Sequence, residues 1–380
     1  MKILFVSMPS VHVIRWIENL EDTSHELYWF DVLGRGRLAT LDSVIQFVNW
    51  KKRKVKYLKG EFFLSKMYPA VYDKVHPYLE VTANEALEKI ILEIQPDIVH
   101  SFEMQGCSYP ILKTMQKYHN IKWLYSCWGS DLYYYQQFPI HLKKIKLLLS
   151  RVNYLHTDCQ RDYTLAKELG FLGKHVGVIP GGTGYKLDEI EPYKLPFAER
   201  KIILVKGYEH FLGRGLNIVK ALEAIKNKIE NYDVVVFGAH PVVIEYIQSH
   251  QLGFKVFDRN GLSHQKILEL MGKSLIYIGN SISDGMPNTL LEAIVMGVFP
   301  IQSNPGGVTE EIIKDGVNGL LINNPESILT IQNLILKSIS NHYLLERAAH
   351  ENAILAKDKL DYDQNSIKVI SIYDTILKCE

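Results

Sequence analysis

A rhythm in the sequence limits the fold more than any other feature: short apolar, β-branched runs recur along the chain, separated by segments with helical spacing. The runs Ile3–Ser7, Leu27–Val32, Asp97–Phe102, Lys122–Cys127, Tyr154–Thr157 and Val176–Ile179 precede a polar, Pro-containing stretch from Glu189 to Arg200. A second set then begins with Ile202–Lys206, followed by Val234–Gly238, Lys255–Phe257, Leu275–Gly279, Phe299–Gln302 and Leu320–Ile322. Leu216–Ile229, Pro287–Met296 and Ser327–Ile339 carry helical spacing. Strands that are apolar on both faces and alternate with helices specify parallel, doubly wound sheets. The restart near Ile202 predicts two Rossmann-like α/β domains, 1–195 and 196–358, with a closing helix in 359–380 marked by Ile367, Ile370, Tyr373 and Leu377. A chain of 380 residues suits two cores better than one. Residues 34–80 mix Gly, Lys and aromatics without a clean period.

Composition excludes several classes. Hydrophobic residues make up 47% and charged residues 22%, the mix of a folded chain and not of a disordered one. The formal net charge of +1 gives no reason to expect nucleic acid, and none is expected as a partner. Lys2 is followed by only four apolar residues before Ser7, which reads as a strand and not an export segment. With no apolar run long enough for a bilayer, a cytosolic protein is expected. The four cysteines, Cys107, Cys127, Cys159 and Cys379, lack metal-site spacing and are expected as reduced, mostly buried thiols. A basic run of Lys51, Lys52, Arg53, Lys54, Lys56 and Lys59, with Trp50 and Tyr57 among it, and a second cluster at Lys143, Lys144 and Lys146 suit either a solvated face or anionic lipid headgroups. The latter would place the chain at the inner face of the cell membrane.

Ligands of doubly wound sheets bind beyond the carboxyl ends of the strands. The densest signal there runs from Gly279 through Asp284-Gly285-Met286-Pro287-Asn288-Thr289 and Glu292 to Gly297. Pro287 fits the first helical position, and the amides of Asn288, Thr289 and Leu290 at a helix start suit an anion such as a diphosphate. Asp284 can accept from sugar hydroxyls, and Glu292 can face a ribose. After it come Gly297-Val-Phe-Pro-Ile, Pro305-Gly-Gly-Val-Thr-Glu310-Glu311 and Asp315-Gly-Val-Asn-Gly319. An acidic residue, seven intervening positions and a Glu in a Leu-Leu-Glu-Ala helix resemble the corresponding element of family 4 glycosyltransferases. The following segments are similar to that family's continuation in order and spacing.

The resemblance implies a GT-B fold, two Rossmann-like domains facing across a cleft with the last helix returning to the first, and retaining transfer of a hexosyl-type sugar from a nucleotide-sugar. Carried over, Asp284 contacts the transferred sugar, Gly285 to Thr289 give backbone contacts to sugar and phosphate, and Glu292 holds the ribose. The family usually has Glu at the Asp284 place. One methylene less shortens the reach by about 1.5 Å and leaves the donor sugar open. In Lys206-Gly207-Tyr208 to Arg214-Gly215 the family commonly has Arg and then Lys gripping the donor diphosphate. Arg214 takes the Lys place, and Tyr208 takes the Arg place, with Lys206 as the replacing charge. Such cations stabilise the leaving nucleoside diphosphate as its charge grows. Catalytic roles are therefore expected for Asp284, Arg214 and Lys206, with Gly207 among the donor contacts. No cofactor or metal is expected, since no DxD or His cluster calls for one.

The first half is looser. Ser10 can cap a helix whose first turn carries His12, either a structural contact or a group facing the ligand, and Arg15 and Trp16 are acceptor contacts or core and rim. Trp128-Gly129-Ser130-Asp131 follows a strand and resembles a variant in bacterial surface-polysaccharide members. Trp128 can stack on a sugar, and Asp131 either caps the next helix or meets an acceptor hydroxyl. Tyr133-Tyr134-Tyr135 and Glu103 line an acceptor groove in this reading. The implied function is transfer from a UDP-sugar, favoured over GDP-, to a glycan or lipid-linked acceptor in bacterial surface-polysaccharide synthesis. The alternatives are a catalytically degenerate binding subunit and a sugar-nucleotide epimerase. A nicotinamide dehydrogenase is disfavoured because no G-x-G-x-x-G follows a strand.

Overall fold

The computed structural model describes residues 1–180 and 183–378. Two compact units partition the chain: Met1–Thr157, Tyr163–Gly177 and Ile372 onward in one, Asp158–Asp162 and Val178–Ser371 in the other. The boundary expected at 195/196 thus falls by packing at 177/178, and the short segment Asp158–Asp162 groups with the second unit.

The first unit holds β1 (Lys2–Ser7), β2 (Glu26–Asp31), β3 (Ile45–Phe47), β4 (Ile98–Phe102), β5 (Lys122–Cys127), β6 (Tyr154–Thr157) and β7 (Lys174–Val178). They form one sheet in the order β3-β2-β1-β4-β5-β6-β7. The second unit holds β8 (Ile202–Lys206), β9 (Asp233–Ala239), β10 (Lys255–Asp258), β11 (Ser274–Gly279), β12 (Phe299–Ser303) and β13 (Leu320–Ile322), ordered β10-β9-β8-β11-β12-β13. Strand pairs run parallel, β1 on β2 and β4 and β8 on β9 and β11 among them. The expected strands are all present; the addition is edge strand β3, inside the stretch that lacked a period.

Side-chain alternation explains why the rhythm was readable. Ile203 and Val205 of β8, Val234 and Val236 of β9, and Ile276 and Ile278 of β11 pack into one core. The intervening Leu204, Val235, Phe237 and Tyr277 pack into another on the opposite face. Every residue of such a strand meets apolar neighbours, which leaves helices to cover both faces.

In the first unit, α1 (Val11–Glu18) begins at Ser10, whose Oγ accepts from the His12 amide at 3.2 Å. Trp16, an acceptor candidate, is core: its Nε1–H donates to Tyr373 Oη at 2.8 Å. Tyr373 Oη also lies 2.7 Å from His100 Nδ1, and His100 Nε2 lies 2.8 Å from Ser126 Oγ. Tyr373 sits on the last helix, Tyr362–Leu377, and it and His100 are fully buried. Burial pushes the His100 imidazole well below its ordinary pKa, so the ring is neutral and its two nitrogens can split donor and acceptor duty. Cys107, Cys127 and Cys159 are buried free thiols; Cys379 lies outside the described residues. Among the described residues no helix is long and apolar enough to cross a membrane.

Candidate active site

In the second unit, the loops leaving β8 and β11 are sewn together. Gly213 and Ser281 form an antiparallel bridge. The Arg214 amide donates to Asn280 O at 2.9 Å, and the Ile282 amide to Leu212 O at 2.9 Å. Asn280 Nδ2 donates to Pro325 O at 2.8 Å, and the Ser281 amide to Ser303 Oγ at 2.9 Å. Both sequence motifs therefore meet at the carboxyl ends of neighbouring strands, where a doubly wound sheet presents its ligand site.

Charge is concentrated around Tyr208. Lys206 Nζ stands 4.6 Å from its ring centroid and the Arg259 guanidinium 5.5 Å from it. The rings of His210 and His240 are 5.5 Å apart, and His240 meets Tyr208 edge-on at 5.7 Å. The His210 pKa is lowered, first by burial and then by His240, Lys206, Arg259 and Arg214. Where the family has one cation, Tyr208 carries two beside its ring, held by cation–π attraction. Arg259, in the loop after β10, had no sequence signal: nothing in Asp258-Arg259-Asn260 is periodic, and its ring partner is distant in sequence.

Arg214 faces this group only in part. Its Nε is ion-paired with Glu326 at 2.5 Å, and Nη1 donates to Gly213 O at 2.8 Å. A diphosphate would have to compete with Glu326 for it. Gly207 is buried; its N–H donates to Phe237 O at 2.8 Å and its C=O accepts from the His240 amide at 3.1 Å. A Cβ there would come within 2.8 Å of Ala239 Cα. Its N–H and C=O are both bonded to neighbouring backbone, and its lack of a side chain is required by packing.

The helix after β11 begins one residue later than expected. Pro287 is its N-cap, with ψ 118°, and the helix is Asn288–Val295. Of the three amides expected as donors there, that of Leu290 is used within the helix start, and the amides just before it are bonded too. The Leu290 amide donates to Pro287 O at 3.0 Å, the Met286 amide to Asp158 Oδ2 at 3.1 Å, and the Gly285 amide to the Asp284 carboxylate. Asn288 O accepts from the Tyr185 hydroxyl at 3.3 Å, and Thr289 Oγ1 from the Tyr277 hydroxyl at 2.9 Å. Gly285, Met286 and Pro287 are buried, while Asn288, Thr289 and Asp284 are half-buried. Glu292 is 5% exposed, and its Oε1 lies 2.7 Å from His264 Nε2; a ribose would reach it only beside His264.

The Asp284 carboxyl is pushed up from its ordinary pKa by burial, opposed by the charges of Lys206 and Arg161. Arg161 is the second residue the sequence did not reveal. Its Nη2 donates to Asp284 O at 2.8 Å and its Nη1 to Pro305 O at 2.7 Å, and it is ion-paired with the fully buried Asp162. The amides of Gln160 and Arg161 both donate to Glu311, at 2.7 and 2.8 Å. Arg161 therefore fixes the backbone that presents Asp284. Asp158, Cys159 and Asp162 lie close enough to share an ion, but Asp158 is bonded to Met286 and Asp162 to Arg161.

In the first unit, β4 and β5 end beside each other, and Trp128 meets the His12 ring edge-on at 5.4 Å. Asp131 is 3% exposed and already committed. It accepts from the Tyr125 hydroxyl at 2.5 Å, the Cys127 thiol at 3.1 Å and the Trp128 amide at 3.1 Å. It shapes the turn that carries Trp128, and it is not the N-cap of the next helix, which is Gly129. Glu103 sits at φ +58°, ψ 143°, a region L-residues avoid. Its carboxylate accepts from the Gln105 and Gly106 amides at 2.8 and 2.6 Å. Burial and nearby Asp131 raise its pKa to about 7. A strained, half-buried carboxyl with such a pKa at a strand end is a mark of functional sites.

Residues 2–159 match the family model of glycosyl transferase 4-like proteins, and residues 199–355 that of glycosyl transferases group 1. No curated protein is matched by sequence. Among solved structures, the fold is shared with sucrose-phosphate synthase from Thermosynechococcus elongatus, with TM-score 0.72 at 13% identity over 100% of both chains. HepE of Anabaena, solved with UDP-glucose, gives 0.69 at 15% identity over 99% of this chain and 100% of that one. A trehalose 6-phosphate synthase from Burkholderia multivorans gives 0.68 at 11% identity over 99% and 96%. Two halves that match successive modules of one enzyme class, on two parallel sheets of the corresponding fold, make this chain a GT-B glycosyltransferase with a 4-like first half and a group 1 second half.

Proposed function

We propose that the chain transfers a sugar from a UDP-sugar, with retention at the anomeric carbon, to a glycan or lipid-linked acceptor of a bacterial surface polysaccharide. The observation that carries the donor half is the cluster of Lys206, Arg259, His210 and His240 around Tyr208, beside Arg214 and with Lys206 acting electrostatically on Asp284. The fixed cations among them, Lys206, Arg259 and Arg214, suit a diphosphate leaving group, whose charge grows as the glycosidic bond breaks. HepE, of the same fold, is described in complex with UDP and UDP-glucose, which favours UDP over other nucleotides. In this reading Asp284 accepts from the transferred sugar, Asn288 and Thr289 contact sugar and phosphate, and Glu292, beside His264, takes the ribose hydroxyls. Acceptor oxygen attacks the anomeric carbon on the face the UDP leaves, and a diphosphate oxygen takes the acceptor's proton. No metal or cofactor is needed, because the cations neutralise the departing charge. His12, Trp128 and Glu103 position the acceptor, Trp128 by stacking on a sugar face.

Thermal-shift titration with UDP-, GDP- and ADP-sugars tests the donor. Stabilisation by one UDP-sugar, with slow UDP release in its presence, is expected. Stabilisation by GDP- or ADP-sugars alone would overturn the base assignment.

A further inference from the structure

The strangest surface of the first unit lies in the stretch whose sequence had no period. After β3 the chain forms α2 (Glu61–Met67) and α3 (Pro69–Leu79), and this pair is turned inside out. Its polar groups lock it to the body. Arg53 pairs with Glu61 at 2.5 Å and Glu80 at 2.9 Å, and the Tyr72 hydroxyl donates to Glu61 at 3.3 Å. Hydrogen bonds from Arg53 hold the Glu61 carboxyl down at about 2. Leu79 is buried and Leu64 and Val75 are half-buried, but most of the apolar side chains are exposed: Tyr57 is 79% exposed, Phe62 78% and Phe63 60%, and Leu58, Met67, Tyr68 and Val71 are exposed as well. Exposed apolar side chains concentrated in one short stretch of chain mark an interaction site.

Charge identifies what covers it. Residues 51–80 contain eight basic and three acidic side chains. Two of the acids, Glu61 and Glu80, share an ion pair with Arg53, which offsets one of their two charges, and Lys54 is paired with Glu85 at 2.5 Å. Arg53 and Lys54 of the basic run are therefore spent internally. Trp50 too is turned inward, its Nε1–H donating to Asp31 O at 2.6 Å. Lys51, Lys52, Lys56, Lys59, Lys66 and Lys74 remain exposed around the apolar side chains. A second copy of the chain docking face to face would set these lysines against themselves. A surface that is anionic outside and apolar just beneath satisfies both halves of the patch.

We propose that Tyr57–Val71, with the exposed lysines on either side, is an interfacial anchor that seats the first unit on an anionic lipid bilayer, Phe62, Phe63 and Met67 entering the headgroup–acyl boundary. Aromatic and Met side chains supply the apolar area, and each lysine near the surface adds attraction to anionic headgroups. The anchor deepens the acceptor side of the proposed function, because a lipid-linked acceptor is met where its lipid resides. The reading does not depend on the donor nucleotide.

The test is co-sedimentation of the full chain with vesicles of phosphatidylglycerol and phosphatidylcholine, or of phosphatidylcholine alone. Binding to the anionic vesicles alone is expected. Combined Lys51→Gln, Lys52→Gln, Lys56→Gln and Lys59→Gln should lower the partition coefficient by about a hundredfold or more. Phe62→Ser with Phe63→Ser should lower it at least about tenfold. All these side chains are exposed, and a UDP titration of each variant reports an intact second unit independently. Phe62→Trp emission should shift to the blue on adding anionic vesicles. Unchanged Phe62→Trp emission, or equal binding to phosphatidylcholine alone, would overturn the anchor. So would a dimer in solution that Phe62→Ser with Phe63→Ser converts to monomer while vesicle binding is absent. A donor that fails to bind would leave the anchor standing and remove only the UDP assignment.

Discussion

The strand-end loops of the second unit and the helical pair after β3 in the first solve opposite problems. At the loops, backbone amides are sewn from strand to strand, and the cations stand around one tyrosine. In the helical pair, the polar groups turn inward as a lock and most of the apolar ones are left outside. A small charged ligand is held by groups fixed in advance, because fixed dipoles and charges need not reorganise when it binds. A broad soft surface needs area and like charge, and tolerates variation at any single position. Substitutions should therefore be costly in the first region and mild, additive and visible only with lipid in the second.

The sharpest contrast is Arg161→Met. It leaves buried Asp162 and the carbonyls of Asp284 and Pro305 without their donor, and should cost about 3–5 kcal/mol in denaturant unfolding. Lys56→Gln, on the exposed run, should stay within about 0.5 kcal/mol. Equal costs would break the comparison. Next is Asp284→Asn, expected to lower kcat by about 10²–10³ in a UDP-release assay at saturating donor, with the fold retained. Unchanged turnover would remove Asp284 from the site. Arg259→Ala should weaken UDP, but not uridine, by about tenfold in calorimetric titration; equal loss for both would assign Arg259 to the base and not to the diphosphate.

The last effect concerns pH in the first unit. The fold raises the Glu103 pKa to about 7 from its ordinary 4.5, so the folded state holds its proton over a range where the unfolded chain has lost it. The stability this gives is complete below the unfolded pKa and is lost as pH rises from about 4.5 through 7. The melting temperature should therefore fall slightly from pH 5 to pH 8, and Glu103→Gln should flatten that slope. A slope that persists in Glu103→Gln would place the titrating group elsewhere.

Burial decided what could be read from sequence. Strands such as Ile202–Lys206 were legible because each apolar side chain from Ile202 to Val205 is claimed by a core on one face or the other. The run from Gly279 to Gly319 was legible because its order and spacing resemble a family element. Arg161 and Arg259 were not, since apart from the adjacent Asp162 their partners are carbonyls and a ring far along the chain, and an Arg beside an Asp is common on surfaces. The packing of Gly207 and the bonds of Asp131 were hidden for a related reason. Sequence says that a glycine or an aspartate follows a strand, but only packing says that its hydrogen-bonding capacity is already used. β3, α2 and α3 escaped because helical period registers a core-facing stripe, and here most of the apolar residues face outward.

The buried partnership of Trp16, His100 and Tyr373 has a consequence for how the protein is made. A ribosome delivers residues in order, and domains generally form as they emerge. The first unit cannot close around its own aromatic heart in that order, because the hydroxyl that satisfies Trp16 and His100 is translated more than three hundred residues after Trp16. Until Tyr373 arrives, the oldest part of the nascent chain carries an open seam, and the second unit has been synthesised before the first is sealed.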